Sequence, residues 1–391
     1  MSVSLAGRLK DVGAKWYELP ETKSRISSME GLRGLAVLLV FCVHYHDLLG
    51  ILYLPPGTWQ FELSYFFNQI GHCGVDLFFV LSGYLIYAAT IKPNLQIPRF
   101  WKRRIERIYP AYLAVFAIYL VLSWLFPERS KFPGGLWPNT VTFTASLLLI
   151  AGLAPVEPLI TVAWSLSFEM FYYFVLPLLI WATGMQRWRP SARVAFLLGL
   201  AGVYVVLFLS GPLLRPGYWT PARMLMFIVG ILLYERLRSR PPPTSSAIRE
   251  SLVALLFVAS LCVLFYLQQL SMAPGASREE RGVLALEKVL VTLVPFYLFS
   301  LYSFGAVGYL RRPFEWFPLR WLGNMSYSYY LIHGLVVNFC AMVAQKLLPV
   351  NSYGPAVYWI ALPLVFIATL AVSTVLFLAI ERPLSLQPHA R

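Results

Sequence analysis

A histidine set inside an apolar run carries most of the chemistry legible in this chain. Glu30-Gly31-Leu32-Arg33 is followed by ten residues, mostly Ala, Val and Leu, and then by His44. A charged side chain at membrane depth costs on the order of 2.5–3.5 kcal/mol, so residues of this kind face a partner or a cavity. Eleven positions of an α-helix are almost three whole turns, which puts Arg33 and His44 on one face, roughly 16 Å apart along the axis. One face thereby carries a fixed cation at the membrane edge and a titratable imidazole well inside. That suits an elongated anionic ligand with its phosphates at the edge and its reactive end at His44. A snorkelling arginine and a histidine bonded to a neighbouring helix would leave the same pattern.

Other polar residues interrupt apolar runs. In Gly71-His72-Cys73-Gly74-Val75-Asp76-Leu77-Phe78-Phe79-Val80-Leu81-Ser82-Gly83, helical spacing puts Asp76, Phe79 and Gly83 on one face. Asp76, expected in the outer half of its span, either orients and polarises the His44 imidazole or is a structural hydrogen-bonding partner. Glu169, about two turns into the run that starts at Trp164, either holds an acceptor hydroxyl or pairs with Arg223. His333, eleven residues into another span, is a second candidate base or a helix-bridging residue. Arg104 and Arg107 are three apart on an expected helix, a fork suited to phosphate oxygens, although basic runs beside membranes often only set topology.

The elements that position these residues follow from composition. Of 391 residues 58% are hydrophobic and 13% charged, and the mean hydropathy is +0.65, which excludes a soluble domain of this length. The expected fold is an all-α integral membrane protein, a bundle of about ten transmembrane helices with both termini cytosolic. Apolar runs long enough to cross lie near 30–51, 67–91, 108–126, 162–183, 194–211, 220–235, 251–270, 285–306, 322–345 and 357–380. The stretch 139–153 is too short and is expected to be a partial or re-entrant segment.

Charge supports ten crossings, since this count places 23 Lys and Arg in cytosolic segments and six outside. Residues 1–28 lack the apolar core of a signal peptide and are expected to stay cytosolic, ahead of a membrane domain over 29–384 and a tail over 385–391. The net charge of +14 is spread between spans and gathers in no basic soluble domain, so nucleic acid is rejected as a partner. Cys42, Cys73, Cys262 and Cys340 show no metal-type spacing, and neither disulfides nor a metal site is implied.

Six motifs in order carry a family resemblance. They are Arg33-x10-His44, Phe78-Phe79-Val80-Leu81-Ser82-Gly83, Arg104-x-x-Arg107 ahead of Tyr109-Pro110, Trp164-Ser165-Leu166 with Glu169 and Tyr172, Ser326-Tyr327 leading to Tyr330-Leu331-x-His333, and Glu381-Arg382-Pro383. Together, over about residues 26–384, they resemble the membrane-bound acyltransferase 3 family. The resemblance implies an enzyme that moves an acyl group, usually acetyl, from cytosolic acyl-CoA to a hydroxyl of a glycan or other acceptor. It implies an essential Arg33 and His44 and a contribution from Arg104 and Arg107. Many relatives carry a further esterase domain of the SGNH type; this chain resembles the stand-alone form, in which the bundle itself or a separate protein completes transfer.

The expected mechanism has Arg33, Arg104 and Arg107 binding CoA phosphates and His44 acting as general base, with Asp76 behind it. Burial favours the uncharged imidazole that a base must be. An acyl-histidine intermediate is the other route. Trp164, Glu169, Tyr172 and His333 are assigned to the acceptor side. Acetyl-CoA or another acyl-CoA is the co-substrate, no metal is expected, and the partners are a glycan or lipid-linked glycan and the bilayer of the bacterial inner membrane; a homo-oligomer stays open. The rival class is a proton-coupled transporter or flippase, which would move substrate without releasing CoA.

Overall fold

The computed structural model describes residues 13–19, 26–154, 156–211, 221–273, 275, 277–305, 308–349 and 354–386, and every regular element among them is helical. Nine helical stretches are long and apolar enough to cross a membrane. The chain is an all-α polytopic membrane protein.

Nine of the ten expected spans fall on these stretches. The exception is 220–235, where a 3-10 turn, Pro221–Met224, precedes a helix of 15 residues, Leu225–Ser239. That stretch carries Arg223, Glu235, Arg236 and Arg238, more charge than the other stretches place in a window of bilayer length. Several spans are longer than hydropathy indicated, the second and third most of all at their starts. The second starts at Trp59, because the polar residues Ser64, Asn68 and Gln69 are helical and buried. The third starts at Ile97, so the basic run 99–107 forms its opening turns.

The chain divides into two units, Met1–Leu77 with Pro242–Leu256 and Phe299–Arg382, and Phe78–Pro241 with Phe257–Leu298 and Pro383–Arg391. The first contains α1 (Ser27–Tyr45), α2 (Trp59–Gly71) and the opening of α3 (Cys73–Thr90). In the second, α4 (Ile97–Leu125), α5 (Leu136–Leu147), α6 (Trp164–Thr183), α7 (Pro190–Leu209) and α8 (Leu225–Ser239) follow the rest of α3. The helices α9 (Ala247–Ser271) and α10 (Arg278–Gly305) contribute to both units. The first unit closes with α11 (Phe317–Asn324), α12 (Ser326–Leu347), α13 (Pro355–Leu376) and most of the π-helical segment Phe377–Leu386.

In the first unit α1 is the central element, packed against α2, α11 and α12, while α12 also packs on α13. Leu32, Ala36 and Val37 are at most 1% exposed. The approach of α1 to its neighbours is close enough to require glycine. A Cβ on Gly31 would meet the Phe314 carbonyl, and one on Gly34 the Leu319 carbonyl. These obstacles are backbone and cannot rotate away. Gly31→Val is expected to cost about 1–3 kcal/mol by overpacking, read as a lower melting temperature in detergent. Gly199→Ala on α7, where nothing lies within 4 Å, is the control and should leave the melt unchanged or raise it. Elsewhere apolar side chains face outward, as on α13, where Ile360, Leu364 and Ile367 are 60–66% exposed on one face.

In the second unit the stretch 139–153 does not cross. The helix α5 has 12 residues, about 18 Å, and turns follow it. Non-helical backbone at membrane depth is tolerated where protein groups satisfy it. Here Tyr112 Oη donates to the Ser146 carbonyl at 2.6 Å and Tyr109 Oη to that of Leu147 at 3.2 Å. Ser146 Oγ accepts from Leu159 N at 3.1 Å, and Ser167 Oγ from Gly152 N at 3.0 Å. Ser167, directly after the Trp164-Ser165-Leu166 motif, therefore helps seat the partial segment.

Candidate functional site

The first unit builds a histidine pair. The helix α1 is regular through Tyr45, so Arg33 and His44 keep their three-turn separation, and a π-helical turn, His46–Gly50, follows directly. From α12, His333 brings its ring to 5.0 Å of the His44 ring between centroids, at 53°. His333 Nδ1 lies 2.8 Å from the Tyr330 carbonyl and 3.0 Å from that of Tyr329. Carbonyl oxygens only accept, so Nδ1 carries the proton and Nε2 keeps its lone pair. His333 is wholly buried and its Nε2 has no hydrogen-bond partner among the described residues. His44 is half-buried. An accessible imidazole beside a buried one of fixed tautomer can remove a proton from a hydroxyl while the second ring accepts another hydrogen bond.

The helix bearing His333 is held from the end of the chain. Glu381 Oε2 accepts from Ser328 N at 3.0 Å and from Ser328 Oγ at 2.5 Å. A carboxylate on the first turn satisfies backbone donors left open there and favours the positive end of the helix dipole. Tyr329, whose ring stacks on His333 at 5.3 Å and 12°, shares a 2.9 Å hydrogen bond with Thr369 of α13. Arg382 Nη1 donates to the carbonyls of Lys15 and Trp16. Two motifs far apart in sequence, around Ser326–His333 and Glu381-Arg382-Pro383, thus meet in one contact.

Asp76 is buried at 3% exposure in the first turn of α3. Its level relative to α1 follows from the neighbouring glycines. A Cβ on Gly71 would meet Leu39 and Val43, and one on Gly74 would meet Ala36, Leu39 and Val40. The two segments therefore run antiparallel, and Asp76 falls near the level of Ala36. That is about 4–5 Å along the axis from Arg33 and about 12 Å from His44. The expectation of a carboxylate in the outer half, behind the imidazole, gives way to one deeper in the span and nearer the arginine, because the second span begins at Trp59.

In the second unit, Arg104 lies over the rings of Phe100 at 5.1 Å and Tyr173 at 5.2 Å. Tyr173 Oη donates to Glu169 Oε1 at 2.5 Å, and the same oxygen accepts from Ser82 Oγ at 3.1 Å. Trp101 Nε1 donates to the Tyr173 carbonyl at 2.9 Å, fixing α4 against α6. Arg104 is thus joined to Glu169 through one tyrosine. Arg107, half-buried, lies one turn further along α4. Trp164 is buried against Phe79 and Phe168, and Tyr172 donates its hydroxyl to the Met224 carbonyl at 2.9 Å while stacking on Phe227 at 4.1 Å. These two residues hold helices together, and Glu169 orders the tyrosine beside the arginine.

One polar cluster escaped the sequence. Arg193 Nε lies 3.0 Å from Glu235 Oε1, which also accepts from Tyr87 Oη at 2.5 Å, with both members of the ion pair almost fully buried. Its members are a hundred positions and more apart along the chain from Tyr87, and no local pattern joins them. Among the described residues no group of three His, Cys, Asp or Glu could hold a metal ion.

Helices of spanning length define a polytopic membrane protein, and its first unit holds a histidine pair with one member three turns from an arginine. The acyltransferase 3 family model, described as an acyltransferase domain, matches residues 26–378, and the chain belongs to that family. It is similar to acyltransferase MdmB of Streptomyces mycarofaciens, 27% identical over 82% of this chain and 81% of the relative. It is similar to exopolysaccharide production protein ExoZ of Rhizobium meliloti, 28% identical over 82% of this chain and 92% of the relative. It is also 26% identical, over 83% of its length, to peptidoglycan O-acetyltransferase OatA of Listeria monocytogenes. The chain spans only about half of some of the curated relatives it matches, 51–56% of their length. No solved structure matches it.

Proposed function

We propose that this protein transfers an acyl group, acetyl in the first instance, from acyl-CoA to a hydroxyl of a cell-surface polysaccharide or its lipid-linked precursor, at the bacterial inner membrane. The observation that carries the reading is the His44–His333 pair at 5.0 Å, with His44 on the helix that bears Arg33, in a chain of the acyltransferase 3 family. The names of two relatives, a peptidoglycan O-acetyltransferase and an exopolysaccharide production protein, support a glycan acceptor.

In this reading Arg33 binds phosphate or pyrophosphate oxygens, with Asp76 as the carboxylate that orients its guanidinium. Arg104 and Arg107 supply two further guanidinium groups for the same class of ligand. His44 takes the proton from the acceptor hydroxyl as that oxygen attacks the acyl carbonyl. The carbon–sulfur bond breaks, and the proton passes from the imidazolium to the departing thiolate, giving the ester and free CoA. His333 accepts a hydrogen bond through Nε2 and keeps the acceptor end of the site in place.

The test uses inside-out membrane vesicles given acetyl-labelled CoA and either exopolysaccharide or peptidoglycan. Label on glycan with matching release of CoA is expected. Glycan movement without CoA release would instead favour transport. A variant separates the donor contacts. Arg104→Lys removes a planar group stacked between two rings and is expected to raise the KM for acyl-CoA about tenfold, a loss of about 1.4 kcal/mol. The acceptor KM should stay constant, and an unchanged acyl-CoA KM would remove Arg104 from the donor site.

A further inference from the structure

A chain of side-chain amides beside His44 ends in an unused acceptor. Asn68 on α2 donates from Nδ2 to the Val43 carbonyl at 3.0 Å and to Asp47 Oδ1 at 2.7 Å. Those two acceptors fix the orientation of its amide, so its Oδ1 faces away from them and accepts from Gln69 Nε2 at 2.8 Å. The Gln69 amide is thereby fixed as well, since turning it over would set two oxygens against each other. Its Oε1 is buried and has no hydrogen-bond partner among the described residues, on a side chain only 2% exposed. An acceptor left bare in this way carries a desolvation penalty until a donor reaches it.

The placement points to what that donor is. Val43 and Asp47 are the neighbours of His44 at minus one and plus three, so the amide chain is tied to the turn that carries the imidazole. Asp47 is exposed and opens the chain to the surface, and it lies on the far side of His44 from Arg33. The chain contains one carboxylate, two neutral amides and no cation, which repels a phosphate-bearing ligand and suits hydroxyl groups. On the same face of α2, one turn earlier, Ser64 Oγ lies 2.7 Å from His46 Nδ1 and 2.5 Å from Tyr358 Oη, extending the polar wall.

We propose that Gln69 Oε1, held in place through Asn68 by Asp47 and Val43, accepts a hydrogen bond from a hydroxyl of a polyhydroxylated acceptor bound beside His44. The inference rests on the acyl-transfer reading above and assigns its acceptor subsite. Sites built to bond a hydroxyl discriminate through the penalty of leaving their own polar groups unpaired.

The experiment titrates the full-length protein in detergent with soluble chito-, gluco- and galacto-oligosaccharides, following the melting temperature. Saturable binding to the wild type is expected for at least one of them, weakened about tenfold in Gln69→Met, which keeps the length of the side chain and removes its acceptor. Gln69→Glu, as the protonated acid, keeps both a donor toward Asn68 Oδ1 and an acceptor in the place of Oε1, and should stay within about threefold. Should Gln69→Met not fold, Asp47→Ala is read instead; it frees the Asn68 amide and is expected to weaken binding about three- to tenfold. No saturable binding by the wild type would overturn the subsite, as would equal affinities in wild type and variants, the result expected if a buried water fills the position. Oligosaccharide-dependent release of CoA is measured in parallel. Its absence with saccharide binding intact counts against acyl transfer, and its presence with no effect of Gln69→Met or Asp47→Ala counts against the subsite alone.

Discussion

His44→Ala, compared with wild type at matched protein levels in vesicles, is expected to lower acyl transfer by about 10²–10⁴-fold, the usual contribution of a positioned general base. The fall should appear in kcat, with the KM for acyl-CoA changed little, because the proposed function assigns the phosphate contacts to arginines. His44 is the accessible member of the pair, whereas His333 is wholly buried and has its Nδ1 committed to two carbonyls. His333→Ala should therefore cost less in turnover, about tenfold, the worth of a hydrogen bond to the reacting group. Equal transfer by His44→Ala and wild type would remove His44 from the chemistry. A larger loss from His333→Ala than from His44→Ala would exchange their roles.

The second large effect is expected at Glu381, a residue outside the histidine pair. Its carboxylate receives a backbone N–H and a hydroxyl of Ser328, at 3.0 and 2.5 Å, on the first turn of the helix that carries His333. Hydrogen bonds to a charged group contribute about 1.5–3 kcal/mol each, so Glu381→Ala should remove about 3 kcal/mol or more from this packing. Turnover is expected to fall with it, since the His333 ring would lose its fixed place beside His44. Glu381→Gln keeps one acceptor and should recover most of the stability. The readout is the melting temperature together with hydrogen exchange over 326–330. Faster exchange confined to that turn in Glu381→Ala would confirm the cap, and exchange like the wild type in both variants would refute it.

Much about this protein was already determined by the order of its residues. Hydropathy over windows of bilayer length marks nine of the spans, because hydrocarbon tolerates few charges and the signal is local. The Arg33–His44 relation is likewise local, a matter of helical period, and the same holds for the shortness of 139–153. The sequence misjudged polar helices. Residues 59–66 read as a connection, yet they are helical, since Tyr358, which bonds Ser64, is distant in the chain; the helix expected around Arg104 and Arg107 begins at Ile97, ahead of the apolar run.

Only tertiary structure decided which polar groups meet. Helical period gives the face of Asp76 but not its height against another helix; the close contacts of Gly71 and Gly74 set that height near Ala36, closer to Arg33 than to His44. The meeting of His44 with His333, of Ser328 with Glu381, and of Asn68 with the turn that carries His44 joins residues from 21 to 289 positions apart. Hydrogen bonds and ring contacts act over a few ångströms in space, and one chain can bring such residues together in many ways. Packing at backbone distance across glycines leaves one of them.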